Sequence, residues 1–236
     1  MYHEVAEDII HGILANKYSD KLPTEKHLVE EYHVSRNTVR KALDVVFAHG
    51  LLRRVRGSGY YIIKKPLETK TVLNLSIGFD ENSMVSGGPL KSKVIQFDTI
   101  KADQKLSQRG NVRVGEVVYR VIRLCYLRNK LYDLEESYFP RNVVPYLSEE
   151  SVHSSIFGFL REAYQMTGST SENYVHVHPL DEQQASLLGR KQADKVLCLD
   201  GINYLSNGKV FNFSRTLFGY DSLALYYHTQ NIDLKK

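Results

Sequence analysis

The sequence predicts an α+β protein, made of a small helical N-terminal domain and a larger domain built on an antiparallel sheet. Three observations carry this prediction. Apolar residues recur at helical spacing through the first fifty residues, and a Gly-rich turn between two short strand-like segments follows them. Strand-like segments separated by turn signals dominate the remainder. The 236 residues suffice for two domains.

The N-terminal region contains three predicted helices. Apolar residues over Tyr2–Leu14 recur at helical spacing and predict a first helix of about four turns. A second helix is predicted from Thr24, a suitable N-cap, to about Tyr32. A third begins at Ser35, another suitable N-cap. It ends at Gly50, because glycine tolerates the positive φ common just after a helix.

A β-hairpin follows the third helix. Leu51–Val55 and Tyr60–Ile63 predict two short strands, and Arg56-Gly57-Ser58-Gly59 predicts the turn between them. Three helices followed by a basic two-stranded wing are typical of a winged helix-turn-helix. Glycine lets the backbone approach a nucleic acid closely, so this tip could enter a minor groove, although a plain hairpin turn explains the glycines equally well.

The third helix has one apolar and one hydrogen-bonding face. Its apolar stripe consists of Val39, Ala42, Leu43, Val46 and Phe47, whereas its first turns present Arg36, Asn37, Arg40 and Lys41. A helix anchored on one side, with donors projecting from its first turns, suits the DNA major groove. We therefore expect these four residues and the capping Ser35 to lie at a DNA-binding surface.

Positive charge is concentrated in this region. Residues 35–65 contain eight Lys or Arg and one acid, whereas residues 66–236 contain twenty basic and nineteen acidic residues. The first segment thus carries a net charge of +7 and the second +1, although the whole chain carries only +4. A localised positive surface is typical of a protein that binds the phosphate backbone.

The remaining sequence alternates predicted strands and helices after a linker at residues 66–74, so we divide the chain into domains at 1–65 and 75–236. Asn207-Gly208 and Arg128-Asn129-Lys130 predict hairpin turns. The predicted strands are Ser92–Ile100, Val117–Arg128, Lys130–Tyr138, Tyr174–Pro179, Val196–Leu205 and Val210–Phe218. The predicted helices are Ala102–Gln108, Ser154–Tyr164 and Asp181–Leu188.

Several function classes lack support in the sequence. No apolar run approaches the ~20 residues of a membrane span, and no signal peptide is recognisable. Cys125 and Cys198 form no CxxC pair, so we expect two reduced core cysteines in a cytoplasmic protein. His176 and His178 share a strand face without an identifiable third ligand. No nucleophile elbow occurs, and we predict no catalytic residue, metal or cofactor.

The N-terminal motifs resemble the DNA-binding domain of GntR-type bacterial regulators. They read L-P-T-E-K-H-L over residues 22–28, V-S-R-N-T-V-R-K-A-L over 34–43 and G-L-L-R-R-V-R-G-S-G-Y-Y-I over 50–62. The resemblance implies DNA contacts by Arg36, Thr38 and Arg40, and entry of Gly57 into the minor groove. It also implies a basic second-helix contact at Lys26. With Arg56 and Gly59 these complete the expected DNA-binding surface.

The C-terminal part resembles the UTRA ligand-sensing domain of the HutC subfamily, whose fold is similar to chorismate lyase. The resemblance rests on residues 119–140, 154–157 and 204–215. It implies an effector-binding pocket in which Arg123 holds a phosphate or carboxylate and Glu135 accepts sugar hydroxyls. It also implies a small polar donor at Ser155 and a phosphate-holding loop at Gly78 and Phe79.

The chain departs from the family pattern at four pocket positions. Cys125 stands where some relatives have a second arginine, Phe157 and Phe218 stand where a tyrosine occurs, and Asn212 stands where a carboxylate can occur. These departures remove charge and hydroxyl groups. We therefore expect a larger effector with an aromatic-stacked ring, such as a disaccharide phosphate or an aryl glucoside phosphate, rather than an amino-sugar phosphate.

The resemblance implies a homodimeric repressor of a carbohydrate operon, which binds near-palindromic double-stranded DNA and releases it when a phosphorylated sugar binds. Two other classes stay open. An enzyme is conceivable because the C-terminal fold is similar to that of a lyase, although an enzyme has no need of Arg36, Arg40 and a basic wing. A nonspecific chromosome-binding protein would have neither a ligand nor an operator preference.

Overall fold

The structure is a computed structural model that describes residues 1–63, 71–74, 91–127, 129–219 and 223–226, with only the backbone described at 71–74. The chain forms two compact units. One comprises residues 1–87 together with 222–236, and the other comprises residues 88–221. Each unit has its own hydrophobic clusters.

The first unit begins with three helices, α1 (Tyr2–Leu14), α2 (Glu25–Tyr32) and α3 (Arg36–Ala48). The predicted caps are confirmed. The Thr24 hydroxyl accepts a hydrogen bond from the His27 amide at 3.3 Å, and the Ser35 hydroxyl accepts one from the Thr38 amide at 3.1 Å. Each cap satisfies an amide that the first helical turn leaves without an intrahelical partner.

The helices enclose a core of fully buried side chains, among them Ile9, Leu28, Val39 and Leu43. Truncation of such a leucine to alanine typically lowers the free energy of unfolding by about 2–5 kcal/mol. The apolar stripe predicted for the third helix is therefore what holds that helix in place. Phe47, its last member, packs on the core while staying partly exposed.

The wing consists of β1 (Leu52–Val55) and β2 (Gly59–Ile62), paired antiparallel as predicted. The connector between α1 and α2 lies along the other edge of β2, where the Leu22 amide donates to the Tyr60 carbonyl at 3.0 Å. Gly57 has a φ of +74° and a built Cβ would meet nothing within 4 Å. Glycine is therefore required by the backbone conformation of the turn and not by a lack of space for a side chain.

One strand pair in this unit was not predicted from the sequence. β3 (Thr71–Asn74) pairs in parallel with β10 (Leu223–Tyr226), which lies about 150 residues later in the chain. The Tyr226 hydroxyl donates to the Gly50 carbonyl at 3.2 Å. The end of the described chain thus returns to the C-terminus of α3.

The second unit is built on a six-stranded antiparallel sheet with the order β4-β5-β6-β9-β8-β7. Its strands are β4 (Lys91–Lys101), β5 (Val117–Leu127), β6 (Lys130–Pro140), β7 (Thr170–Pro179), β8 (Lys195–Tyr204) and β9 (Val210–Phe218). Its helices are α4 (Gln104–Gly110), α5 (Glu149–Val152), α6 (Ile156–Tyr164) and α7 (Glu182–Leu188). The predicted antiparallel sheet with flanking helices is confirmed.

The helices pack on opposite faces of this sheet. Val152 of α5 and Leu160 of α6 pack with Val121 of β5, whereas Leu188 of α7 packs with Leu124 of the same strand. Val121 and Leu124 lie on different faces because successive residues of a strand point to alternate sides. Among the described residues no helix is long and apolar enough to cross a membrane.

Candidate functional site

The exposed side of α3 carries the donors that the sequence predicted. Arg36, Asn37, Arg40 and Lys41 are all exposed, while Val39 and the other members of the apolar stripe face the core. The Ser35 hydroxyl is occupied by its cap and by a 2.9 Å contact with the Thr38 hydroxyl. These two hydroxyls therefore fix the first turn of α3, from which the basic side chains project.

The basic side chains of this surface differ in how firmly they are held. Arg40 Nε donates to Glu25 Oε2 at 3.0 Å, which links α3 to the first turn of α2. The arginine still exposes 56% of its side chain. Lys26 makes only a loose 3.9 Å ion pair with Glu30 on the same helix. Glu25 thus orients Arg40, whereas Lys26 stays available to the solvent.

A cleft of about 550 Å³ lies between the wing and the start of α2. Three basic residues line it, Lys21, Arg54 and Arg56, together with both tip glycines, and Glu25 is its acidic residue. Arg56 and Gly57 are exposed. A basic groove beside a helix N-terminus attracts phosphate groups through both charge and backbone amides.

Four of the predicted effector residues, Arg123, Cys125, Glu135 and Phe218, meet on one face of the large sheet. We name this face the Arg123 face and define it by these four residues and Asp133. The strand register pairs Arg123 with Glu135 and Cys125 with Asp133 across β5 and β6. It pairs Asp133 with Phe218 across β6 and β9. Residues two apart on a strand share a face, so these five side chains project to the same side.

Arg123 and Glu135 form a closed ion pair on this face. Arg123 donates to Glu135 Oε2 from Nε at 3.1 Å and from Nη2 at 2.6 Å, and from Nη1 to the Ser154 carbonyl at 3.2 Å. The Ser137 hydroxyl donates to the other Glu135 oxygen at 2.6 Å. Burial opposes ionisation of Glu135, but Arg123 and Ser137 together lower its pKa below the ordinary value.

The remaining predicted effector residues differ in their surroundings. Ser155 is exposed and its hydroxyl caps α6 by accepting from the Gly158 amide at 3.1 Å. Phe157 packs among aromatic rings, 5.7 Å from the Phe211 ring. Phe218 is buried edge-to-face against Tyr132, which is 5.8 Å away. The predicted loop residues Gly78 and Phe79 lie outside the described residues.

Both hydrogen-bonding groups of the Asn212 side chain bond to other residues of the sheet. It is 1% exposed, and its amide nitrogen donates to the Tyr138 carbonyl at 3.3 Å. Its amide oxygen accepts from Asn203 at 2.8 Å. Because both ends of the amide are used, the geometry favours a structural role for Asn212 over contact with a ligand.

Sequence reasoning missed Asp133, although it lies two residues before Glu135 on the same strand. The side chain is 0% exposed, and neither carboxyl oxygen has a nitrogen or oxygen partner among the described residues. Burial, and then the charge of Glu135, raise its pKa to about 8. The available signal was the spacing of Asp133 and Glu135, two residues apart on a predicted strand, which places both acids on one face. Which residues they meet there depends on the strand register, which the sequence does not show.

The opposite face of the sheet carries a second polar cluster. Arg215 donates to both oxygens of Asp200 at 2.7 Å, and His176 Nε2 lies 3.0 Å from one of them. His176, Cys198 and Asp200 are close enough together to hold a metal ion. The two extra ligands come from the neighbouring strand, which the His176–His178 spacing could not reveal. Arg215 already neutralises Asp200, which disfavours a cation there.

Glu136 also belongs to that opposite face. It lies 3.8 Å from Arg109, whereas its neighbour Glu135 pairs with Arg123 on the Arg123 face. Successive residues of a strand point to opposite sides, so these two adjacent acids cannot act together on one substrate.

Comparison with known protein families yields two matches that together cover most of the chain. The family described as bacterial regulatory proteins, gntR family, matches residues 1–62. The UTRA domain matches residues 86–224.

Individual relatives agree with these matches. The mannosyl-D-glycerate transport/metabolism system repressor MngR of Escherichia coli K12 is 31% identical over 94% of this chain and 92% of its own. The uncharacterized regulator YydK of Bacillus subtilis is 30% identical over 93% of both chains. The crystal structure of YydK superposes with a TM-score of 0.80 over 97% of this chain and 99% of its own, at 28% identity.

Proposed function

Because the chain belongs to the GntR family of bacterial regulatory proteins and carries a UTRA domain, we propose that it represses a carbohydrate operon and leaves its operator when a phosphorylated sugar binds. That it is a transcriptional regulator rather than an enzyme follows from the family itself. The single observation that carries the repressor proposal is the pairing of a basic winged helix with a separate sheet domain that has a polar site.

The DNA-binding role rests on the exposed side of α3 and on the wing cleft. Arg36, Asn37 and Arg40 are the side chains best suited to base edges, because arginine and asparagine match guanine and adenine in the major groove. Lys26, Lys41 and Arg56 suit phosphates, which fix position without reading sequence. Ser35 and Thr38 stabilise the first turn, and Gly57 and Gly59 let the wing approach the minor groove.

We expect Arg40→Ala to weaken binding to the specific operator by about 1–3 kcal/mol if Arg40 reads a base edge. Glu25 holds the guanidinium in place, so the free protein has already ordered this side chain in part. Fluorescence anisotropy with specific and scrambled duplexes measures the change. Arg113→Ala, an exposed arginine of the second unit, is the matched control.

Salt dependence separates the two roles of Arg40. Loss of a phosphate contact reduces the log–log salt slope by about 1 and weakens all duplexes alike. An unchanged operator preference together with a smaller slope would move Arg40 from base reading to backbone positioning.

The sugar-sensing role rests on the Arg123 face. Relatives named for sugar systems support it. They include MngR and the probable fructoselysine utilization operon repressor of Escherichia coli K12, which is 24% identical over 91% of this chain and 88% of its own. On this face we assign effector contacts to Arg123, Glu135, Cys125 and Phe218. Ser155 and Phe157 at the start of α6 and Gly78 and Phe79 belong to the same proposal, and Asn212 supports the sheet beneath.

The ion pair with Glu135 affects how Arg123 would bind an anionic effector. Its charge is already balanced by Glu135. A phosphate must therefore either displace the carboxylate or add to the pair from the exposed side. Arginine can do both because its fork of five donors binds more than one acceptor group. Exchange of Arg123 between Glu135 and a phosphate would also be a switch between two arrangements of the site.

We further propose that two copies pair along β7. This strand lies at the edge of the sheet, and its residues are exposed except His178. Tyr174, Val175 and Val177 expose 58%, 38% and 62% of their surface, whereas edge strands usually carry charges that prevent pairing. A two-fold pairing centred on Tyr174 or Val175 brings Glu172 opposite a histidine of the partner. Such a pairing would place a carboxylate of one copy beside an imidazole of the other, and an imidazole N–H can donate a hydrogen bond to a carboxylate.

We expect the double variant V175K/V177K to raise the dimer dissociation constant at least tenfold, because it puts two charges of the same sign on an edge strand that must pair with its own copy. In the pairing centred on Val175, the two copies of Lys at position 175 also face each other directly. Light scattering after gel filtration at several protein concentrations measures this. Val114→Lys, at an apolar residue that is 59% exposed elsewhere in the unit, is the control. A variant that dimerises like the wild type would remove β7 from the interface.

A dimer explains how a sugar could change DNA binding. Helix-turn-helix dimers read half-sites roughly 34–36 Å apart, so the operator would be a near-palindrome. An effector that favours a different dimer arrangement by about 1–3 kcal/mol lowers operator affinity some 5–150-fold. Selection of duplexes from a random pool by the full-length chain tests this: two-fold symmetric sites with that spacing are expected, and a pool without enrichment would indicate a nonspecific binder.

A further inference from the structure

Asp133 is a buried carboxyl that lacks a strong hydrogen-bond donor among the described residues. It is 0% exposed, and no nitrogen or oxygen of the described residues bonds to either of its oxygens. Its cross-strand neighbours are the Cys125 thiol, a weak donor, and the Phe218 ring, which offers none. Buried polar groups are nearly always partnered, so an exception calls for an explanation.

The neighbouring ion pair cannot supply that partner. Arg123 directs Nε and Nη2 to Glu135 and Nη1 to the Ser154 carbonyl. Both oxygens of Glu135 accept hydrogen bonds, one from Arg123 and one from Ser137. On the Arg123 face, Asp133 is therefore the carboxyl whose oxygens have no nitrogen or oxygen partner among the described residues.

The protonation state of Asp133 indicates which ligand group suits it. Burial, followed by the charge of Glu135, raises its pKa to about 8, while Cys125 and Arg123 act in the opposite direction. The residue that faces it from β9, Phe218, carries no charge. At neutral pH the group is thus a carboxylic acid, with one O–H donor and an acceptor oxygen.

We propose that Asp133 selects the effector by exchanging hydrogen bonds with a hydroxyl group, or a pair of them, on a sugar ring. This inference rests on the proposed function, since it requires the effector to bind on the Arg123 face. A neutral acid can donate to one hydroxyl oxygen and accept from another hydroxyl without any change in charge. An amine would need the ionised form, which burial beside Glu135 disfavours.

Cys125 is consistent with this role. The thiol faces Asp133 across the strand pair at 4% exposure, and burial raises its pKa, so it is neutral. A cation at that position would ionise Asp133 and bind both of its oxygens. The combination of Cys125 and Asp133 thus leaves an uncharged polar group beside the Arg123–Glu135 pair.

The test compares Asp133→Leu and Asp133→Asn with the wild type, all as full-length chains. Leucine has a similar shape and removes every polar atom, whereas asparagine keeps one donor and one acceptor group. Thermal shift is measured without sugar and with trehalose 6-phosphate, cellobiose 6-phosphate, glucose 6-phosphate, glucosamine 6-phosphate and the unphosphorylated sugars. A compound that binds the native state raises the melting temperature.

Without sugar, we expect Asp133→Leu to melt at or above the wild-type temperature, because it removes a buried polar group that lacks a partner. For a sugar phosphate that stabilises the wild type, we expect Asp133→Leu to lose at least tenfold in affinity. Asp133→Asn should stay within about threefold. Deoxy analogues of that sugar should lose affinity for the wild type but not for Asp133→Leu.

Four results would overturn the proposal. Equal affinity of Asp133→Leu and the wild type would exclude contact, and a much lower melting temperature of Asp133→Leu would make Asp133 structural. Preference for glucosamine 6-phosphate over glucose 6-phosphate would mean that Asp133 contacts an amine of the effector rather than a hydroxyl group. A panel without any compound that stabilises the wild type would contradict the proposed sugar-phosphate sensing itself, and Asp133 as a sugar-selecting residue with it.

Discussion

Arg123→Ala is expected to lower the free energy of unfolding of the sheet unit by about 3 kcal/mol, because it leaves the carboxylate of Glu135 buried without its cation. The two side chains expose only 15% and 21% of their surface, so water cannot replace the lost guanidinium. Denaturation of the full-length chain in urea, followed by circular dichroism, measures the change. The expected loss is a large fraction of the stability of an ordinary domain.

Two further variants test whether the loss of stability arises because the ion pair is buried, rather than because any ion pair is broken. Arg120→Ala breaks the ion pair of Arg120 with Asp98, whose side chains are 27% and 36% exposed, and should cost less than about 1 kcal/mol. The double variant R123M/E135Q should recover most of the loss, because no buried charge is left without its partner. Equal losses at Arg120 and Arg123 would contradict this reading of the Arg123–Glu135 pair.

The double variant also separates stability from sensing. DNA binding depends on the first unit, so R123M/E135Q should bind operator DNA like the wild type. Its response to a phosphorylated sugar should be lost, because both groups that we propose to bind the effector are gone. Loss of operator binding instead would assign Arg123 and Glu135 a role in holding the repressing conformation.

The stability of the sheet unit is expected to fall by several degrees of melting temperature as the pH rises from about 5 to 8. Asp133 causes the fall because its pKa is about 8 in the folded chain, whereas an unfolded aspartate titrates near 3.9. At pH 5 the folded chain keeps a proton on Asp133 that the unfolded chain has released. Each further rise in pH then favours the unfolded state, until Asp133 ionises in the folded chain as well.

Asp133→Asn removes this titration and is expected to melt at a nearly constant temperature over the same pH range. The difference between the two melting curves isolates Asp133, because Glu135, Asp98 and other groups with lowered pKa values titrate alike in both proteins. Differential scanning calorimetry at four pH values is sufficient. Parallel curves for the two proteins would mean that Asp133 is ionised and partnered in solution.

Local sequence signals predicted most of the elements. Thr24 and Ser35 were recognised as caps because a hydroxyl that accepts from an amide three residues later is a purely local interaction. The six sheet strands were found from composition and turn signals. However, β7 begins at Thr170, four residues before its predicted start, because its polar first residues lack strand-like composition. The short helix α5 was also missed, since four residues carry no periodic signal.

Pairings between distant segments were beyond local reasoning. β3 and β10 are four residues each and lie far apart in the chain, so neither contains a signal for the other. The same applies to the Arg123 face. Arg123 and Glu135 were each predicted to contact the effector, but their pairing with each other depends on the register of β5 and β6. Asp133 was overlooked for the same reason.

The measurement that tests the central claim most directly is the affinity of the full-length chain for its selected near-palindromic duplex, with and without each sugar phosphate of the panel. Fluorescence anisotropy at fixed salt gives both values. We predict that at least one phosphorylated sugar lowers the affinity 5–150-fold while its unphosphorylated form does not. Unchanged affinity across the whole panel, for a chain that binds the duplex specifically, would contradict regulation by a sugar phosphate.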